Sequence, residues 1–170
     1  MKHFWLIRHA KTEVSAGPGT SDFDRDLNKR GRRDGKKMQA WLARVANAQP
    51  QQRPQWLLTS SAVRAVSTSR FVAKGFGLSP DQQYSDEALY LAGPEVLLDA
   101  LRSTPTDANC VALVAHNPGM TWLVNALSAP TEVINNLPTF GCALFQADVE
   151  QWTDLTQATR LELATPKTLA

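Results

Sequence analysis

Hydrophobic positions along the chain fall into short blocks whose spacing alternates between two periods. Residues 2–7 contain the unbroken run Phe4-Trp5-Leu6-Ile7, the pattern of a buried strand. Residues 11–26 carry Gly17-Pro18-Gly19-Thr20-Ser21 and predict a loop. Leu27-Asn28 then opens a helix in which Met38, Trp41, Leu42 and Val45 share one face, and residues 49–54 break it. Trp56-Leu57-Leu58-Thr59 predicts a second strand. Ser60-Ser61 suits a helix N-cap, so residues 62–74 are expected to be helical, with Gly75 and Gly77 ending the run. A weak strand is expected at Gln83-Tyr84, followed by a helix that starts at Pro94 and carries Leu97, Leu98 and Leu101. Residues 110–115 are apolar throughout, as a strand covered on both faces requires. Asn117-Pro118-Gly119 turns the chain into a helix with Met120, Leu123, Val124 and Leu127 on one side. Residues 142–149 and 160–164 predict two last strands joined by a turn near Trp152-Thr153-Asp154.

Strand and helix alternate through residue 127. That order predicts an α/β three-layer sandwich, a mostly parallel central sheet flanked by helices, with the last two strands adding an antiparallel edge. Hydrophobic residues make up 43% of the 170 positions, enough for one core, so a single domain over residues 1–170 is expected. Eighteen Lys and Arg against sixteen Asp and Glu leave a formal charge of +2. This balance excludes a disordered chain and a strongly basic nucleic-acid coat, so no nucleic-acid partner is expected. No apolar run approaches the roughly 20 residues of a membrane span, and the N-terminal run Phe4–Ile7, ended by Arg8, falls short of the roughly 7–15 of an export signal. Cys110 and Cys142 both sit in apolar runs and read as buried thiols. A cytoplasmic protein without a membrane partner is the expectation.

Several chemistries fail on spacing. His3, His9 and His116 do not form a zinc pattern and there is no CxxC, so no metal and no cofactor are expected. Gly31 to Lys36 lacks one residue and the closing hydroxyl of a phosphate-binding loop. Neither cysteine has the Arg six residues on that a thiol phosphatase needs; those positions are His116 and Asp148. Asp22-Phe23-Asp24-Arg25-Asp26 has the look of an aspartyl-nucleophile motif but follows a loop rather than an apolar strand.

What remains converges. Arg8-His9 follows the first strand, Arg64 lies in the first turn after the second, and His116 follows the strand at 110–115. In a parallel sheet the carboxyl ends of all strands share one edge, where ligands bind. Arginine holds phosphate oxygens in a bidentate fork at any working pH. A neutral imidazole is a nucleophile that can carry a phosphoryl group, and nearby guanidinium groups disfavour its protonation. Two Arg and two His at one edge therefore suit phosphoryl transfer without a metal. The helix N-termini after Ser60 and near Gly119 are expected to add amide donors. His3 lies at the other end of its strand and receives no role.

Leu6-Ile7-Arg8-His9-Ala10-Lys11, the run from Ser60 through Arg64 to Thr68, and Val114-Ala115-His116-Asn117-Pro118-Gly119 together resemble the three motifs of the histidine phosphatase superfamily, the phosphoglycerate-mutase-like fold. The resemblance implies that His9 is the nucleophile, that Arg8, Arg64 and His116 form the phosphate pocket with Asn117 beside them, and that a carboxylate, Asp86 or more specifically Glu87, protonates the leaving group. Ala10 in place of Gly, the motif from His116 to Gly119, Arg25-Asp26-Leu27 followed by Gly31, and the short length are similar to the SixA-type phosphohistidine phosphatases. That resemblance implies a phosphatase working through a phosphohistidine on His9, with a phosphorylated phosphotransfer protein as partner. A small phosphorylated substrate, in a phosphomonoesterase or mutase reaction, is the alternative, and a phosphate-binding adaptor without turnover is a third reading. Lys11 and Ser15 are further candidates for phosphate contact. The basic stretch Lys29-Arg30-Gly31-Arg32-Arg33 reads as a solvated helix face, with docking of an acidic partner as its alternative.

Overall fold

The computed structural model describes residues 1–15 and 17–169; Ala16, inside the predicted loop, and Ala170 lie outside the described residues. Six strands form one sheet: β1 (Lys2–Arg8), β2 (Trp56–Ser60), β3 (Gln83–Asp86), β4 (Cys110–Ala115), β5 (Cys142–Ala147) and β6 (Thr159–Ala164), in the spatial order β3-β2-β4-β1-β5-β6. The first four run parallel, and β5 and β6 add the expected antiparallel edge. Four helices cover the sheet: α1 (Lys29–Ala48), α2 (Val63–Phe76), α3 (Pro94–Arg102) and α4 (Gly119–Leu127).

The alternation along β1 sorts the two cores. Phe4 and Leu6 point into one with Leu97 and Leu101 of α3 and Met120, Leu123 and Val124 of α4. Trp5 and Ile7 point into the other with Met38 and Leu42 of α1 and Val72 and Phe76 of α2. Helices on both faces of one sheet make the three-layer sandwich that the strand–helix alternation predicts. No helix among the described residues is long and apolar enough to cross a membrane.

Four local expectations need correction. The N-cap of α2 is Ala62, which has no side-chain cap; Ser60 is the last residue of β2, and its hydroxyl meets the Ala62 amide and His116 Nε2. Gly75 does not end α2 but lies inside it, where a Cβ would sit 2.8 Å from the Gln39 carbonyl and 2.9 Å from Leu42 Cβ. It is a point of close approach to α1, while Gly77, at φ +66, supplies the left-handed cap. β5 ends at Ala147 and β3 extends to Asp86.

Helix α1 is tied to the loop after β1. Its N-cap Asn28 accepts from the Gly31 amide at 2.8 Å and donates through Nδ2 to the Thr12 carbonyl at 2.9 Å. A Cβ at Gly31 would lie 2.0 Å from the Lys11 carbonyl, a backbone atom that cannot yield. Gly31→Ala therefore forces α1 away from the loop, at about 1–3 kcal/mol as for overpacking elsewhere. For a domain of this size the expected Tm falls by about 2–4 °C per kcal/mol, read by thermal melting.

Candidate active site

Strand register places the site. Arg8 pairs with Ala115 across β1 and β4, and the His9 amide continues the ladder by donating to the Ala115 carbonyl at 3.1 Å. His9 and His116, each the next residue on its strand, therefore end side by side with ring centroids 5.3 Å apart. β2 lies on the far side of β4, so the chain leaving Ser60 enters α2 next to them and brings in Arg64. Thr68 locks that approach: its hydroxyl accepts from the Ala10 amide at 2.9 Å and donates to the Arg64 carbonyl at 2.8 Å. Arg8, His9, Arg64, His116 and Asn117 all line one cavity of about 380 Å³, together with Lys11.

The imidazoles are set by their partners. His9 Nδ1 lies 2.8 Å from the Ala10 carbonyl, which can only accept, so Nδ1 carries the proton and Nε2 keeps its lone pair. Burial foremost, with help from His116, Arg64 and Arg8, lowers the His9 pKa to about 3. His116 Nε2 is 2.7 Å from the Ser60 hydroxyl, which also accepts from the Ala62 amide. The hydroxyl keeps its own proton and a second acceptor lone pair, so it pairs with Nε2 in either tautomer of His116. Burial, followed by Arg64, lowers the His116 pKa to about 4.

Three polar atoms of this cluster are buried with no partner: Arg8 Nε, Arg64 Nε and His116 Nδ1. The two guanidinium N–H groups are donors, costly to bury unpaired, and their place at one cavity suits an oxyanion that satisfies them together.

A carboxylate to which the sequence reading gave no role in this site dominates the rim. Asp22, in a short 3-10 turn (Asp22–Asp24), receives the almost fully buried Arg64 through both terminal nitrogens, Nη1 to its carbonyl at 2.7 Å and Nη2 to Oδ2 at 3.0 Å. Arg25 holds the other carboxylate oxygen at 3.0 Å, and the Tyr90 hydroxyl donates to Oδ2. The Tyr90 hydroxyl first, then Arg64 and Arg25, lower the Asp22 pKa to about 2, so this group is an anion rather than a proton donor. The only trace of this arrangement in the sequence is the acid–base pair Asp22 and Arg25 at i, i+3.

Other predicted residues fall elsewhere. Glu87 is exposed and is not among the residues lining the cavity; neither are Asp86, whose Oδ1 caps the Ala88 amide at 2.9 Å, and Ser15. From that segment the cavity receives Leu91 instead, a non-glycine residue at φ 51. Asn117 lines the cavity, but its side chain is engaged in holding other elements. Nδ2 donates to Asn136 Oδ1 and the Leu137 carbonyl, and Oδ1 accepts from the Thr121 amide and hydroxyl. The Leu137 carbonyl also receives Arg8 Nη1 at 3.0 Å, so residues 128–141, unassigned by periodicity, help aim the arginine. Of the amides near the two helix starts, Ser61 donates to the Asp86 carbonyl, Ala62 to the Ser60 hydroxyl and Met120 to the His116 carbonyl.

Two predictions follow from this electrostatic arrangement. Asp22→Asn removes the anion that shares the Arg64 fork, so inorganic phosphate is expected to bind about 5-fold tighter, the equivalent of about 1 kcal/mol for a half-exposed pair, read by calorimetric titration. Both imidazoles are neutral in the fold but protonate near pH 6.5 when unfolded. The unfolded chain therefore binds more protons below that value, and stability is lost as pH falls from about 6.5 through about 4. Thermal melts should show Tm dropping across this window, with part of the slope removed in His9→Asn/His116→Asn; a flat profile contradicts the assignment.

The chain resembles known proteins in a consistent way. Residues 4–87 match the model of the histidine phosphatase superfamily (branch 1). No match is found among curated proteins. Of solved structures, a protein described as the phosphohistidine phosphatase SixA of Agrobacterium tumefaciens is 24% identical, with 97% of this chain and 99% of that one covered at a TM-score of 0.79. The protein histidine phosphatase SixA complexed with tungstate is 20% identical, covers 99% of each chain and also has a TM-score of 0.79. A phosphoserine phosphatase of Entamoeba histolytica, bound to 3-phosphoglyceric acid, is 15% identical over the whole of both chains at a TM-score of 0.64.

Proposed function

We propose that this chain is a phosphatase of the histidine phosphatase superfamily, whose model its residues 4–87 match, and that the phosphoryl group it removes is carried on a protein histidine. The observation that carries the reading is the state of His9: neutral, proton fixed on Nδ1 by the Ala10 carbonyl, Nε2 left as the nucleophile in a cavity lined by Arg8, Arg64 and His116. Likeness in fold to the SixA proteins supports the choice of substrate.

In the first step His9 Nε2 attacks phosphorus and the bond from phosphorus to the substrate's ring nitrogen breaks. The leaving group is an imidazole whose second nitrogen can already hold the proton, so it departs neutral without a carboxylic acid beside it. That fits a cavity to which neither Glu87 nor Asp86 contributes. Arg8 and Arg64 bind the phosphoryl oxygens, and His116 Nδ1 donates to the charge that builds on them. For Arg64 to do so, Asp22 gives up its place in the fork. In the second step water attacks phosphorus, the bond to Nε2 breaks, and inorganic phosphate leaves.

The test measures hydrolysis of a phosphohistidine-bearing phosphotransfer protein and of p-nitrophenyl phosphate, with acid-quenched gels to trap the phosphoenzyme. Wild type is expected to prefer the phosphoprotein by about 10-fold or more in kcat/KM, and His9→Ala to lose turnover and label together, by at least about 10³-fold. Faster turnover of the ester would favour a small-molecule phosphomonoesterase. Phosphate binding without any turnover would leave only an adaptor.

A further inference from the structure

Resting on the reading of a protein-borne phosphohistidine, we propose that the first two turns of α1 are a docking ridge for an acidic face of the phosphorylated protein. Seven of the 18 cations fall within residues 25–37, accompanied by only two carboxylates, Asp26 and Asp34. The rest of the chain therefore has more acids than bases, and the positive charge of this protein is gathered in one place.

The placement runs against what the helix itself prefers. Lys29, Arg30, Arg32, Arg33, Lys36 and Lys37 are all exposed, and Lys29, Arg30 and Arg32 sit in the first turn, at the positive end of the α1 dipole, with no acidic residue beside them there. A cation there costs what an anion would gain, about 0.3–1 kcal/mol near the terminus. Lys29 and Arg33, Arg32 and Lys36, and Arg33 and Lys37 are also like-charged neighbours at i, i+4. Arg32 reaches Asp26 at 3.1 Å and Arg30 reaches Asp34 at 3.6 Å. Lys29, Arg33 and Lys36, which lie along the crest opposite buried Gly31, Met38 and Leu42, make no ion pair among the described residues.

The ridge starts at the lip of the catalytic cavity. The Asn28 amide donates to the Lys11 carbonyl at 3.1 Å and its side chain to Thr12, and Lys11, Thr12 and Arg25 line the cavity. A surface carrying its phosphohistidine to His9 thus lies over the first turns of α1. Carboxylates are the groups that the crest matches. A nucleic acid is matched less well, because residues 29–37 contain no aromatic side chain on which a base could stack. A ridge of this kind accelerates encounter and holds register, and it weakens with salt.

The test uses the triple variant Lys29→Glu/Arg33→Glu/Lys36→Glu, which leaves the cavity residues untouched. Its two substrates share one chemistry: an acidic histidine phosphotransfer domain phosphorylated with phosphoramidate, and free phosphohistidine. At about 50 mM salt, where screening is weak, the triple variant is expected to lose about 10-fold or more in kcat/KM on the domain, mainly through KM. Free phosphohistidine should be turned over within about 2-fold of wild type, and the Lys29→Gln/Arg33→Gln/Lys36→Gln variant should fall between the two. Raising salt to about 300 mM should slow wild type on the domain and leave the triple variant nearly flat. Unchanged turnover of the domain overturns the ridge and leaves the protein-substrate reading standing. Equal loss on both substrates overturns it as a disturbance of the cavity. Hydrolysis of free phosphohistidine but not of the domain by wild type overturns the reading and the ridge together. Loss of binding to a DNA duplex, with turnover of the domain unchanged, assigns the ridge to nucleic acid and overturns it as well.

Discussion

A strand buried on both faces has no freedom to slip, because a shift of one residue moves every side chain into the opposite core. β1 is under that constraint along its whole length. Phe4 and Leu6 belong to one core, Trp5 and Ile7 to the other, and β4 and β5 fill both of its edges. The strand therefore ends in a fixed place, and Arg8 and His9 are delivered there. β4 ends in register with it and delivers His116. The spacing of the two imidazoles is thus set by backbone ladders rather than by flexible side chains, which is how a nucleophile is held ready without ordering cost at the moment of reaction.

Burial also does the electrostatic tuning. Desolvation is the leading cause of the lowered pKa at both His9 and His116, ahead of the arginines around them. The sequence argument assigned this neutrality to the neighbouring guanidinium groups, which contribute less. The arginines in turn need an anion, and in the free protein Asp22 supplies it to Arg64. The site is a set of cations and neutral donors whose counter-charge is a half-exposed side chain on a short turn, one that can yield to a substrate.

Local periodicity carried most of the fold. Apolar runs at β1 and β4 and the stripes of α1 and α4 require only neighbours in sequence to be read, and the three places where His and Arg follow strands come with them. Long-range partners were not legible. Asp22 acts on Arg64 and Tyr90, 42 and 68 residues away, so nothing local distinguishes it from any loop acid. Ser60 has the residue type of a cap, yet its hydroxyl serves His116 across the sheet. Gly75 reads as a stop because its close contact with Gln39 and Leu42 lies on another helix. Residues 128–141 have no period at all, although the Leu137 carbonyl steadies both Arg8 and Asn117.

The order of the strands in space bears on how the chain is made. β1 leaves the ribosome before the other strands, but its two neighbours are β4 at Cys110–Ala115 and β5 at Cys142–Ala147. This strand, with its apolar run Phe4-Trp5-Leu6-Ile7, must therefore wait unpaired while about a hundred residues are added, some seconds at ordinary synthesis speeds. β2 and β3 can pair with each other meanwhile, but the sheet cannot close around its centre until β4 emerges. Phe4-Trp5-Leu6-Ile7 is thus the segment of this protein most exposed to capture by chaperones, or by another chain, during synthesis.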